Sequence, residues 1–243
     1  MVDNACPPKN LSLVSVVVPT YNRAQLLPRA LQSALSQTHA SLEIIVVDDG
    51  STDSTREVVS RNAAVDARVR YVYQTNQGLA GARNTGIATA QGDYVTFLDS
   101  DDEFCADHVA LRAEHLDEHP ATMMVHGGLE VVNGSWMVPD YYRPGELVDV
   151  RECAVGATFF FRRSIMATVG GFVHRTYGED TEFFERATAR VVVARVPWPT
   201  YRYYRDTPDS IVTKELGTVP GNDIANGAAT GSGIATGGNP PGQ

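Results

Sequence analysis

Four short apolar runs, at residues 13–18, 43–47, 69–73 and 94–98, alternate with segments whose apolar side chains recur at helical spacing. Joining parallel strands takes a helix-length crossover, so this alternation restricts the chain to a mostly parallel sheet covered by helices. Leu27, Leu31, Ala34 and Leu35 fall at i, i+4, i+7 and i+8, one face of a helix whose first turn accepts Pro28. Residues 51–54 offer N-caps for a second helix through Val58, Val59 and Asn62, and a small-residue helix at 79–90 follows a turn at Gly78.

The second half is less regular. Runs at 123–132 and 136–138 flank Asn133-Gly134, a hairpin signal. Residues 154–161 suit a buried strand, 181–189 a helix, and 191–196 and 201–204 the last strands. The expected class is α/β: a mostly parallel central sheet flanked by helices, with a smaller mixed sheet in one domain over 11–216. Residues 1–10 read as a flexible arm. Residues 217–243, rich in Gly, Ala and Pro, bury too little to offset their ordering entropy and read as a disordered tail.

Composition narrows the partners. With 43% hydrophobic residues a sizeable core is available, and a net charge of −9 is the wrong sign for nucleic acid. No apolar run approaches the roughly 18 residues of a membrane span, and residues 1–10 lack the basic-then-apolar pattern of a secretory leader. Cys6, Cys105 and Cys153 form no CxxC or zinc spacing. They read as reduced thiols of a cytoplasmic protein, in solution or peripheral at the membrane.

In an open α/β sheet, ligands bind beyond the carboxyl ends of the strands. Pro19, Thr20, Tyr21 and Asn22 follow the first run, Asp48 and Asp49 the second, and Asp99, Ser100, Asp101 and Asp102 the fourth. Several carboxylates on one edge repel unless a cation compensates, and Mg²⁺ or Mn²⁺ does so while leaving positions for phosphate oxygens. On an extended segment, Asp99 and Asp101 point the same way; the competing reading is an acidic turn before a helix at 107–118. Asp48 and Asp49 go to opposite faces, so one suffices for a ligand, unless both are loop acids at a helix N-terminus. A Gly-rich turn after the first strand is missing, which disfavours a dinucleotide oxidoreductase.

Residues 15–23 (SVVVPTYNR), 43–53 (EIIVVDDGSTD), 78–86 (GLAGARNTG) and 97–102 (FLDSDD) together resemble the ordered signature of family 2 glycosyltransferases. The resemblance implies the GT-A fold, with a nucleotide-binding half over 11–105 and an acceptor-binding half over 106–216. It also implies transfer of a sugar from a nucleotide-sugar with inversion. Asp49 takes the place of the acid at the nucleotide base, with Pro19 and Tyr21 as the wall beside it. Asp99 takes the place near the ribose, and Asp101 that of the ligand to a divalent ion, Mn²⁺ or Mg²⁺. Arg83 stands where a cation approaches the nucleotide, or else in a helix-surface salt bridge. Gly170-Gly171-Phe172 with Gly178-Glu179-Asp180 resembles the acceptor-side segment, and Asp180 matches the catalytic base while also suiting an N-cap.

The resemblance implies a nucleotide-sugar donor, UDP-linked as first choice, and a small-molecule, glycan or lipid-linked acceptor. The chain lacks the Q-x-x-R-W motif and membrane helices of processive synthases, which favours single-sugar transfer. Where some members present a metal-supporting His, residues 201–206 read YRYYRD. Arg202 or Arg205 then meets the diphosphate, or the alternation is a solvated face; Glu179 is a further candidate diphosphate or acceptor contact. His115 and His119 read as surface residues. Pro139, Tyr141, Tyr142 and Pro144 make either an acceptor platform or a packed connection. Competing functions are a nucleotide-sugar binding module without catalysis and a metal-dependent phosphohydrolase. In the latter the Asp-x-Asp would follow the first strand.

Overall fold

A computed structural model describes residues 11–207 and 210–217. The first half alternates as expected: β1 (Val14–Thr20), α1 (Leu27–Leu35), β2 (Leu42–Asp48), α2 (Thr55–Val65), β3 (Val69–Tyr73), α3 (Gly78–Thr89) and β4 (Tyr94–Phe97). β5 (Glu103–Phe104) and α4 (His108–Glu118) lead into β6 (Thr122–His126), β7 (Leu129–Val132), β8 (Met137–Pro139) and β9 (Leu147–Asp149). β10 (Phe160–Arg162), α5 (Met166–Val169), α6 (Glu179–Thr188), β11 (Val192–Arg195), β12 (Tyr201–Tyr204) and α7 (Ile211–Leu216) complete the described chain.

The central sheet has seven strands in the order β11-β6-β10-β4-β1-β2-β3, and only β10 runs antiparallel to its neighbours. Its inner strands read as unbroken apolar runs because both faces are covered. Val14, Val16 and Val18 of β1 pack with α1, α2 and α4, whereas Val17 packs with α3 and α6 on the other face. The chain builds outward from β1 to β3 and then returns to β4 on the other side of β1. The switch point between β1 and β4 is where such sheets open a crevice.

Three expectations from the second half are corrected. The run at 123–132 is two strands, because Gly127 (φ 89°) and Gly128 (φ 72°) turn the chain out of the large sheet into a small one ordered β5-β12-β7. Asn133 adopts the left-handed turn conformation (φ 55°), but no hairpin forms: β7 pairs with β12 and β8 with β9. The run at 154–161 opens with a 3-10 turn at Gly156–Thr158, and only its end, from Phe160, is strand. The expected arm at 1–10 and residues 218–243 of the expected tail lie outside the described residues. No helix of the described residues is long and apolar enough to cross a membrane.

Small residues let α3 lie close to the sheet. A Cβ on Gly86 would stand 2.2 Å from Val17 Cγ1 and 2.9 Å from its Cγ2, inside a strand with no room to move. Gly86→Ala gains roughly 0.5–1 kcal/mol of helix preference but incurs about 1–3 kcal/mol of overpacking. The variant is expected to be less stable, read as a lower denaturant midpoint at unchanged slope.

Candidate active site

The ends of β1 and β2 are tied together before any ligand is considered. The Asp49 N–H donates to Thr20 O (2.9 Å), Asn22 N–H to Ser51 Oγ (2.9 Å), and Thr52 N–H to Asn22 Oδ1 (2.8 Å). Asp48 and Asp49 diverge as strand alternation requires. Asp48 accepts from Tyr71 OH (2.6 Å) and Ser51 N–H (2.8 Å), so it is a structural acid. Asp49 accepts from Gln74 Nε2 (2.6 Å) and from the Gln77 and Gly78 N–H groups (both 2.8 Å), which ties it to the N-terminus of α3. Pro19 and the half-exposed Tyr21 stand on the same cleft wall as Asp49.

Asp99–Asp102 is a tight turn rather than an extended segment, closed by Asp102 N–H to Asp99 O (3.0 Å). The turn separates its acids by role. Asp102 is buried and accepts from Tyr201 OH (2.7 Å) and Tyr204 N–H (2.8 Å), clamping the turn to β12. Burial, with Asp101 and Asp99 adding, pushes its carboxyl well above the ordinary range. Arg29 donates to the Asp101 carbonyl and lies 3.6 Å from the Tyr204 ring centroid, which pins the backbone of Asp101. The carboxylates of Asp99 and Asp101 are left at the cleft.

Across the cleft, α6 begins two residues earlier than expected, with left-handed Gly178 (φ 79°) as its N-cap. Asp180 is therefore inside the first turn and is not the cap. It accepts from Gly156 N–H (2.9 Å) and from its neighbour Thr181 N–H (2.8 Å). Arg83 sits between the two walls. It is buried rather than in a helix-surface salt bridge, 2.9 Å from Glu179 and 3.4 Å from Asp99. Burial raises the carboxyls of both Asp99 and Glu179; Arg83 opposes this and Asp180 adds to it.

The resulting cleft measures about 550 Å³, within the range of small-molecule sites. Pro19, Tyr21, Asp49, Arg83, Asp99, Asp101, Glu179 and Asp180 all border it. Arg202 and Arg205 do not. Arg202 projects to solvent 3.9 Å from Glu103, the solvated-face alternative, and Arg205 lies against Gly134 and donates to Met137 O (3.4 Å). His115 and His119 stack on one another at 4.2 Å and lie outside the cleft lining. The 136–149 connection divides between the cleft and the surface. Pro139 and Tyr141 border the cleft, while Tyr142 leans outward to donate to Glu185 (2.7 Å).

Sequence reasoning missed Gly156, Tyr177 and Lys214, all of which border the cleft. The glycine inside an otherwise apolar run was a signal of close backbone approach. Lys214 arrives on α7, beyond the last strand, where no local pattern points to a site. Cys153 also borders the cleft, but burial and nearby carboxylates push its thiol up to about 11, so it is a poor nucleophile at neutral pH.

Among the described residues no three His, Cys, Asp or Glu side chains form a ready cage for a metal. The acids at the cleft nonetheless outnumber its cations, and the donors they offer are carboxylate oxygens. Mg²⁺ and Mn²⁺ are commonly held by one or two such groups plus substrate phosphates, so the residues fit such an ion.

Residues 15–169 match the family model "Glycosyl transferase family 2". The chain belongs to this family. The glycosyltransferase GlyA of Streptococcus pneumoniae is 41% identical over 112 residues, 46% of this chain and 16% of that protein. The putative teichuronic acid biosynthesis glycosyltransferase TuaG of Bacillus subtilis is 40% identical over 116 residues, 47% of this chain and 46% of that protein. The chain thus spans less than half of either relative. Two solved structures share the fold. Staphylococcus aureus TarS 1–349 with UDP-GlcNAc has a TM-score of 0.67 at 22% identity, over 82% of this chain and 60% of that one. Mannosyltransferase PcManGT of Pyrobaculum calidifontis, with GDP-Man and Mn²⁺, has a TM-score of 0.63 at 25% identity, over 80% and 57%. The family 2 chain therefore has the expected GT-A-like α/β architecture, with a large, mostly parallel sheet and a smaller mixed one.

The clamp on the Asp99–Asp102 turn is testable. Tyr201→Phe removes the donor to buried Asp102 and the acceptor of the Asp99 N–H (3.2 Å). Leaving those groups unpaired is expected to lower stability by about 1–3 kcal/mol, measured by denaturant unfolding; an unchanged midpoint would show that the hydroxyl does not hold the turn.

Proposed function

We propose that this chain moves a sugar from a nucleotide-diphosphate sugar, UDP-linked as first choice, to an acceptor hydroxyl with inversion at the anomeric carbon. What supports the reading is the meeting of Asp49, Asp99 and Asp101 with Asp180 around one cleft of a family 2 chain. The complexes of TarS with UDP-GlcNAc and of PcManGT with GDP-Man and Mn²⁺ support the donor class and a divalent companion ion.

In this reading Pro19, Tyr21 and Asp49 receive the nucleotide base and Asp99 the ribose. Asp101 holds Mn²⁺ or Mg²⁺, which when bound offsets the charge that develops on the departing diphosphate. Lys214, which borders the cleft as Arg202 and Arg205 do not, flanks the diphosphate from the roof. Arg83, beneath the donor position, offsets part of the negative charge that Asp99 and Glu179 bring to the floor of the cleft. Asp180, on the opposite wall, takes the acceptor proton as the acceptor oxygen attacks in line, and a single displacement inverts configuration. The acceptor is a small molecule, a glycan or a lipid-linked sugar, the last reached from a peripheral membrane position.

A thermal-shift panel of UDP- and GDP-sugars with and without Mn²⁺ tests the donor, since a ligand that binds only the folded state stabilises it by mass action. One nucleotide-sugar is expected to raise the melting temperature in the presence of Mn²⁺. Asp180→Asn is expected to keep that shift and to lower turnover by about 10²- to 10⁴-fold. Full turnover in this variant would remove Asp180 as the base, and donor binding with no transfer by the unaltered chain would favour a binding module.

A further inference from the structure

The Ala82-Arg83-Asn84 stretch of α3 faces the second half of the chain rather than solvent. Arg83 is 2% exposed and reaches Glu179 at 2.9 Å, with Phe97 and Phe172 ring centroids 5.3 and 5.4 Å from its guanidinium carbon. Its neighbour Asn84 donates to Phe172 O and accepts from Phe172 N–H, both at 2.8 Å. Phe172 in turn stacks on Phe183 of α6, centroids 4.3 Å apart. Two consecutive residues of the first half thus hold both ends of the segment that carries Asp180.

The approach is close enough to exclude side chains. A Cβ on Gly156 would lie 2.8 Å from both Arg83 Nη1 and Asp180 Cβ, and one on Gly171 would lie 2.7 Å from Asn84 Oδ1. A buried ion pair contributes little net stability against a well-packed apolar pair, because desolvating both charges offsets their attraction. Its geometric effect is strong, however. Successive residues on a helix are set about 100° apart, so pinning Glu179 inward on Arg83 fixes the azimuth at which Asp180 faces the cleft. The Gly156 N–H then orients one of its carboxylate oxygens.

We infer that Arg83 and Asn84 are positioning residues, and that Arg83–Glu179 is the latch that aims Asp180, with Glu179 spent on this latch rather than on a diphosphate or an acceptor. The kinetic part of this inference rests on Asp180 being the base. Its structural part does not.

Glu179→Gln, which keeps the shape but removes the charge, and Gly156→Ala, which wedges Arg83 from Asp180 without touching either charge, test it in the full chain. Both are expected to lower kcat about a hundredfold, the usual effect of misplacing a reacting group by an ångström. Affinity for UDP with Mn²⁺ should fall by no more than about threefold in Glu179→Gln, where Arg83 stays beside Asp99 and the base wall is untouched, whereas Gly156→Ala, which displaces Arg83, is read by kcat and exchange alone. Amide hydrogen exchange over residues 179–183 should rise about tenfold while β1 and β2 keep their protection. If the unaltered chain shows no transfer, the exchange arm alone decides the latch, and the loss falls on the proposed base. Unchanged exchange over 179–183 in both variants overturns the inference, as does a higher acceptor KM at unaltered kcat in Glu179→Gln, which would make Glu179 a ligand contact.

Discussion

Like charges brought to one edge of a sheet must be separated, neutralised or hydrogen-bonded, and this molecule is arranged around that requirement. Parallel strands β1, β2 and β4 end side by side, which brings Asp48, Asp49 and the Asp99–Asp102 turn to a single rim. Three acids are quenched by donors of the fold: Asp48 by Tyr71 and Ser51, Asp49 by Gln74 and the α3 N-terminus, and Asp102 by Tyr201 and Tyr204. Asp99 shares Arg83 with Glu179 from the opposite wall. The side chain left with no hydrogen bond among the described residues is that of Asp101, the one assigned to a cation.

The same arrangement explains why the second half is built as it is. β12 clamps the acidic turn, the β8-β9 ribbon and α7 roof the cleft, and α6 faces its first turn across it. Where the α6 side meets α3 the approach is closer than a side chain allows, and glycine stands at the contacts: Gly156 between Arg83 and Asp180, and Gly171 on Asn84. Backbone proximity, more than any single bond, makes one site of the two halves.

The first half was legible because its inner strands are buried on both faces and its helices on one, so hydrophobic spacing carried the structure directly. The acids were found for a related reason: residues that end parallel strands converge whatever their side chains. Spacing failed where pairing is non-local. Asn133-Gly134 has hairpin chemistry, yet β7 is captured by β12 from some seventy residues later in the chain. Arg202 looked useful until alternation along β12 turned it to solvent, and Lys214 gave no signal because its relation to the cleft depends on how α7 packs on β8. The burial of Arg83 was equally hidden, since an arginine in a small-residue helix reads as a surface charge.

Diffraction from crystals grown with a nucleotide-diphosphate sugar and Mn²⁺, collected at the manganese absorption edge, tests the central claim most directly. An anomalous peak at coordination distance from an Asp101 carboxylate oxygen, about 2.1 Å for so small a hard cation, with the nucleotide base against Tyr21 and Asp49, is the result this account predicts. Manganese bound away from Asp101, or a nucleotide lying outside the cleft between the β1 and β4 ends and α6, would contradict it.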